Sequence, residues 1–265
     1  MAPSRSTLSA ALMVVALAAA PAAAADLTAD EVRSALSRSS ADDPADFSGK
    51  NLSELDLSEV DFKRANLAHA DLFGAKLVGA NLAGANLSGA RLDLAWIMRA
   101  DFSGANLTNA SLFGPVVAVS MAPPPPNEAP RFAGADFSGA HIIARLTGVN
   151  LREARFVGAR LGVDLKNQPM GQMRNDFTGA DLTGADLSNA DVNRAILAFA
   201  KLNNANLSGA VLFRADLSRA DLSGAELAGA DFTEADLDGT VLTGAKDLDA
   251  AKGMDKAVNA DKARR

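Results

Sequence analysis

The sequence predicts an all-β solenoid, a chain wound into a four-sided coil, and three observations carry that prediction. From Asp176 to Ala245 an apolar residue falls at every fifth position, from Phe177, Leu182, Leu187 and Val192 onward to Leu242. Two places ahead of each stands an Ala, broken only by Asn175 and Thr240. Between the two comes a residue that is usually Asp or Asn, and Ser or Thr and then Gly often follow. On an α-helix, at about 100° per residue, steps of five advance about 500° and smear the leucines around every side. On a strand an odd step sends successive leucines to opposite faces. A chain that turns a corner every five residues keeps Leu or Phe and Ala always inward. Four such sides close a coil, and coils stacked at about 4.8 Å make a solenoid.

The A(D/N)LxG pattern resembles that of the pentapeptide-repeat family, and the resemblance implies a right-handed quadrilateral β-helix. The beat begins after Ala45 and runs through Phe47, Leu52, Leu57 and Phe62 to Leu112, with Val117 as its last member. It resumes at Phe132, Phe137 and Ile142. The next inward positions, Leu146, Leu151, Phe156 and Leu161, come one residue early, so a corner near Ile143–Ala144 must be tighter. A solenoid of roughly nine coils is therefore expected over residues 45–245, interrupted by loops at 118–130 and 162–175. The first loop holds Pro123–Pro126, which cannot donate to a ladder, and the second holds Met170 and Met173.

The ends read differently. Residues 1–25 have the form of an export signal: Arg5, an apolar run over Leu8–Ala20, and Ala23-Ala24-Ala25 as a small-residue cleavage site before Asp26. That run is shorter than the roughly 20 residues of a membrane span. With no Cys, neither a disulfide framework nor a lipid-bearing Cys is available. A periplasmic or secreted mature chain is expected. Residues 26–44 contain a helix expected over Leu27–Ser40, with Thr28 and Glu31 as a capping box and Leu27 and Val32 as a hydrophobic staple. Val32, Ala35 and Leu36 share one face, which suits a cap over the first coil, because a solenoid end exposes apolar and hydrogen-bonding surface. Docking of a partner is the rival use of that helix. Residues 246–265 are expected to form a short, basic, helical tail, either a second lid or a homodimer contact through a solenoid end.

Catalytic chemistry is not indicated. His69 and His141 occupy different places in their pentapeptides, several coils apart, so they assemble no metal site or general base. The recurrent Asp residues suit turn stabilisation through local backbone N–H groups. The expectation is a protein without catalytic residues, metal or cofactor. Net charge is −6, yet residues 131–174 hold seven basic and three acidic residues between acidic stretches. The resemblance implies an alternative function, an acidic DNA mimic that modulates a type II topoisomerase. The export signal, the positive waist and the spread of acids over four sides oppose it, and nucleic acid itself is not an expected partner. The favoured reading is a rigid, exported binding or scaffolding module for another macromolecule of the cell envelope.

Counting sides across both loops puts Arg155 between Asp136 and Asp186, Arg160 between His141 and Asp191, and Arg145 beside Asp176. The same count makes Leu57, Leu77, Ile97, Val117, Leu146 and Phe177 the inner lining of one side. Its outward residues Trp96, Met98, Arg99, Val116, Val119 and Arg145 form the candidate binding surface. Trp96, the only Trp, fills a slot that elsewhere takes Asp or Asn. The two loops leave from the two corners of this side, and aromatic, Met and Arg side chains are those enriched at protein interfaces.

Overall fold

Five backbone N–H groups per pentapeptide need partners, and in a computed structural model of the chain a pentapeptide with Asp or Asn at its rung can satisfy all five. Residues 24–40, 42–118, 125, 127–163 and 173–265 are described. The segment Asn81–Ala85 shows the scheme. Asn81 N–H donates back to Val60 O of the preceding coil (2.9 Å), and Leu82 and Gly84 N–H donate forward to Asp101 O (2.7 Å) and Ser103 O (3.0 Å). Ala85 N–H closes a four-residue turn on Leu82 O (3.0 Å). The fifth, Ala83 N–H, has no backbone acceptor and is taken by Asn81 Oδ1 (3.1 Å). The Asp or Asn of the repeat is thus the acceptor that completes the turn. Gly84 stands at φ +66°, the third residue of a type II turn, where glycine bears no steric cost.

Successive coils pair through parallel bridges in four ladders. Side A begins Asp46, Asn66, Asn86; side B begins Asn51, Asp71, Arg91; side C begins Asp56, Lys76, Trp96; side D begins Asp61, Asn81, Asp101. Two rungs of side B lengthen into short strands, β1 (Ser111–Phe113) and β2 (His141–Ile143), paired in parallel. Leu or Phe and Ala fill the interior as one continuous core. Phe102 and Phe132 stack at 5.0 Å, closing the interior across the gap where the Pro-rich segment leaves. The side count holds: Arg155 bridges Asp136 and Asp186, Arg160 bridges His141 and Asp191, and Arg145 bridges Asp176. Arg155 lies 19 residues from Asp136, which places the missing residue at the expected tight corner. Arg131–Asp101 (2.7 Å), Arg152–Asp181 (3.4 Å) and Arg155–Asp136 (3.2 Å) pair arginines of the basic waist with acids of adjacent coils, exposed contacts worth about 0–1 kcal/mol each.

Before the first coil, α1 (Ala29–Arg38) carries both bonds of its capping box. It is shorter than Leu27–Ser40, because Ser39 N–H turns back to Leu36 O. Val32 joins the core, Leu27, Ala35 and Leu36 pack against it, and Arg33 donates to Asp56 O (3.0 Å). Among the described residues no helix is long and apolar enough to cross a membrane. The expected export segment lies outside the described residues up to Ala23.

The C-terminal tail is not an α-helix. Lys246, Lys252, Val258 and Arg264 bridge Glu226, Asp231, Asp236 and Val241, so residues 246–265 continue all four ladders. Each ladder reaches ten rungs among the described residues, one more than the nine coils expected. The pentapeptide reading missed this because the sides lengthen to six residues. Ala245, Ala251, Ala257 and Ala263 pack against the core, the first three followed three places later by Leu248, Met254 and Ala260, which do the same. The extra residue is Asp247, Gly253 or Asn259, each at positive φ, a region that Gly, Asn and Asp enter most easily. Only two 3-10 turns, Leu248–Ala250 and Ala260–Lys262, are helical here.

The two breaks in the Ala column between Asn175 and Ala245 are the two buried polar residues among those described, Asn175 and Thr240. Thr240 Oγ1 donates to Leu217 O (2.8 Å). Asn175, 1% exposed, works harder. Its Nδ2 donates to Ile142 O and Leu161 O (both 2.6 Å), and its Oδ1 accepts from Ala144 N–H (2.8 Å). The tight corner and the second loop interrupt the ladder here, and one side chain satisfies three backbone groups. Asn175→Leu keeps the branched shape and strands all three, so chemical denaturation should show a loss of about 3 kcal/mol or more. A loss below about 1 kcal/mol would show that the ladder closes without the amide.

Asp231 accepts from the Thr233 hydroxyl (2.6 Å) and N–H (2.9 Å), which hold its carboxyl below the usual range. The Ser48 N–H does the same for Asp46. At Asp181 burial pushes the pKa up, but the Thr183 hydroxyl and N–H with Arg152 outweigh it. Carboxylates depressed on folding stabilise the fold above their unfolded pKa, about 3.9, and that stability goes as pH falls through the lower folded values. Melting temperature should hold down to about pH 5 and drop progressively below about pH 4. Asp181→Asn, which keeps the acceptor without the titration, should shrink the drop; an unchanged acid profile would place the sensitivity elsewhere.

Candidate binding surface on two adjacent sides

Where a rung is not Asp or Asn, the turn loses its side-chain acceptor, and these departures are unevenly distributed. Side A departs only at Arg155, Glu226 and Lys246. Side D departs at Arg131, Lys201, Val241 and Arg264, side B at Arg91, Ser111, His141, Arg160, Val211 and Lys252, and side C at Lys76, Trp96, Val116, Arg145, Ile196 and Val258. Sides B and C meet at one edge, and that edge is where the chain leaves after Val163 and returns at Met173.

Trp96 and Val116 are consecutive rungs of side C, and Arg145 opens the run of rungs that continues to Asp176. Met98 and Arg99 form the turn that follows Trp96, with Arg99 at φ +59°. Five of the six expected residues therefore share one side; Val119 lies outside the described residues. Trp96 is 41% exposed. It can only donate, so Met98 N–H has no acceptor at its own rung. Arg99 is committed to Glu59 (2.7 Å), an ion pair that passes over Gly79 and spans two coils. Its backbone N–H donates to Glu128 O (2.9 Å), so the returning limb of the Pro-rich segment completes the ladder there.

Leu94 and Met173 extend this surface and were not anticipated. Leu94 is 43% exposed although it holds φ +58°, and Met173 is 46% exposed. Both flank Gly114: an added Cβ there would lie 3.3 Å from Leu94 Cδ2 and 4.0 Å from Met173 Cε. Leu94 and Met173 thus meet beside Gly114 at the B–C edge, Leu94 lying in the chain between the rungs Arg91 and Trp96; Arg91 lies 4.2 Å over the Phe73 ring. A leucine where the repeat takes glycine was the available signal for Leu94. Met173 had none, because its position depends on how the loop returns.

Farther along side B, His141, Arg160, Asp191, Val211, Phe213 and Asp231 line a cavity of about 690 Å³. Here the signal was three rungs of one side, His141, Arg160 and Val211, that abandon Asp or Asn. Among the described residues, no group of three or more His, Asp or Glu converges to hold a metal.

No curated protein matches the chain. Solved structures do. The pentapeptide repeat protein HetL, involved in heterocyst differentiation regulation in the cyanobacterium Nostoc sp. strain PCC 7120, is 32% identical over 81% of this chain and 86% of its own, with a TM-score of 0.46. A pentapeptide repeat protein from the cyanobacterium Cyanothece 51142 is 29% identical over 49% of this chain and 90% of its own, with a TM-score of 0.24. QnrB1, a plasmid-mediated fluoroquinolone resistance protein, is 20% identical over 77% of this chain and 89% of its own, with a TM-score of 0.35. The family model described as pentapeptide repeats matches eight copies, over residues 45–78, 75–112, 176–212 and 210–246. With more than half of its length so matched, and with the five-residue beat wound into four ladders, the chain belongs to the pentapeptide repeat family.

Proposed function

We propose that this protein is a non-catalytic, exported binding module, right-handed in its coiling and capped by α1, that presents the B–C edge to a protein of the cell envelope. The observation that carries the reading is the exposed group Leu94, Trp96 and Met173 on a backbone tied down by ladder bonds. Large apolar side chains on a rigid frame lose little conformational entropy on binding, and aromatic and Met residues contribute disproportionately at interfaces. Residues 1–25 support export, because Arg5, the apolar run Leu8–Ala20 and Ala23-Ala24-Ala25 have the form of an export signal.

Trp96→Asp is a clean test because it restores the repeat and supplies the acceptor that Met98 N–H lacks. The variant should be as stable as the parent or more so. A photo-crosslinker at position 96 should capture one envelope protein that a crosslinker at Asn206 on side A does not, and Trp96→Asp should abolish that complex. Equal capture from both sides would refute the edge as the interface. N-terminal sequencing of the fractionated protein should begin at Asp26; uncleaved protein in the cytosol would overturn export.

The capping role of α1 has its own test. Deleting residues 26–40 exposes the core at Phe47 and Leu52 and should produce end-to-end association in light scattering. A deletion variant that stays monomeric and equally stable would free α1 for a partner role.

A further inference from the structure

We infer that the cavity on side B is a binding site for a carboxylate that carries an apolar group. Its volume, about 690 Å³, falls within the roughly 300–1,000 Å³ of small-ligand sites. Along the ladder the lining runs His141, Arg160, Asp191, Val211, Asp231, with Phe213 beside Val211.

The charges in this lining are unequally satisfied. Asp191 Oδ1 accepts from Asn193 N–H (3.1 Å) and Nδ2 (2.7 Å). Asp231 is held by Thr233 and sits in the field of Lys252 and Lys256. Arg214, which lies over the Phe213 ring, pairs with Glu234 (2.6 Å). Among the described residues, no side-chain hydrogen bond or ion pair engages Arg160 or His141. Arg160 thus stands at one end of the cavity with its guanidinium donors available, one rung from Asp191, and Arg194 is a further cation of the lining, while Val163, Val211 and Phe213 supply an apolar stretch. Arg160 and Val211 are two rungs apart, about 10 Å at strand spacing. A guanidinium binds a carboxylate through two parallel hydrogen bonds. The complementary ligand is a carboxylate with an aromatic or branched aliphatic group about 10 Å away.

Gly162 keeps the cavity open. Its φ is not positive, so glycine is not there for backbone freedom. A Cβ at Gly162 would collide with Asn193 Nδ2 and Asp191 Oδ1. Without one, Asn193 folds back onto Asp191; with one, both side chains must shift at the cavity wall. Gly162→Ala thus reshapes the site without changing any formal charge.

The carboxylate can come free or on a peptide, and two probes separate these sources: 4-phenylbutyrate, and acetyl-Asp-Ala-Ala-Phe-amide. Each is titrated into the full chain by calorimetry and by NMR of the His141 imidazole. At least one should saturate, shift His141, and lose about tenfold or more in affinity with Arg160→Gln or Gly162→Ala. Arg155→Gln on side A should bind like the parent. The free probe alone would assign a small-molecule carboxylate, and the peptide alone a peptide-borne one. If neither probe saturates below about 10 mM, if 4-phenylbutyramide binds as well as the acid, or if Arg160→Gln binds unchanged, the site is not a carboxylate site. Arg160 is exposed, so its variant keeps the inference testable even if Gly162→Ala is poorly folded.

Discussion

One N–H group per pentapeptide has no backbone partner, and the rest of the structure follows from how that group is satisfied. Four of the five donate to the coil before, the coil after, or their own turn. The fifth points along the side, where the side chain two residues earlier is the nearest acceptor. Asp and Asn have the right length and an acceptor, which is why they fill the rung slot from Asp46 to Asp236. Unmade, this bond would leave one orphan donor at every corner of a stack held together by backbone pairing. Where Ser111 replaces Asp or Asn, the bond is kept by other means: Asp93 of the preceding coil accepts from Phe113 N–H (2.9 Å) and from the Ser111 hydroxyl (2.6 Å).

Abandoning that acceptor is therefore a local loss, and the positions that bear it describe the molecule's exposed business. Side A, nearly all Asp and Asn, includes a ladder of amides in which Asn86 donates to Asn66 (3.0 Å) and Asn66 to Asp46 (2.9 Å). It reads as framework. Sides B and C give up the acceptor for Arg91, Trp96, His141, Arg160 and Val211, and these residues surround the B–C edge and the cavity. The frame beneath is unchanged, because inward Leu, Phe and Ala do not depend on what the rung presents outward. A solenoid can thus vary its outer face at little cost to its core, since each coil touches only its neighbours.

The long interruptions show the same economy. The Pro-rich segment replaces one corner's pairing with its own returning limb at Glu128, and Phe132 stacks on Phe102 to seal the interior. The Met-containing segment leaves three backbone groups without ladder partners, and Asn175 takes all three. An amide in a column of alanines looked like a lapse in the repeat. It is the splint that lets the repeat resume in register.

The period of five, and the chemistry of A(D/N)LxG, determined the four-sided coil, its inward residues, the tight corner and even which arginine stacks on which aspartate. Those features are local: each pentapeptide makes the same turn, so counting along the chain counts around the coil. The capping box of α1 was legible for the same reason, because all its partners lie within three residues. What only the tertiary structure decided depends on residues the chain brings together from different coils. The tail closes a tenth coil with six-residue sides because the coil above offers it open hydrogen bonds, which outweigh its helical composition. Leu94 and Met173 meet across Gly114 only once the second loop returns. The cavity exists because Gly162, Asn193 and Phe213, each unremarkable in its own pentapeptide, stand on successive rungs of one side.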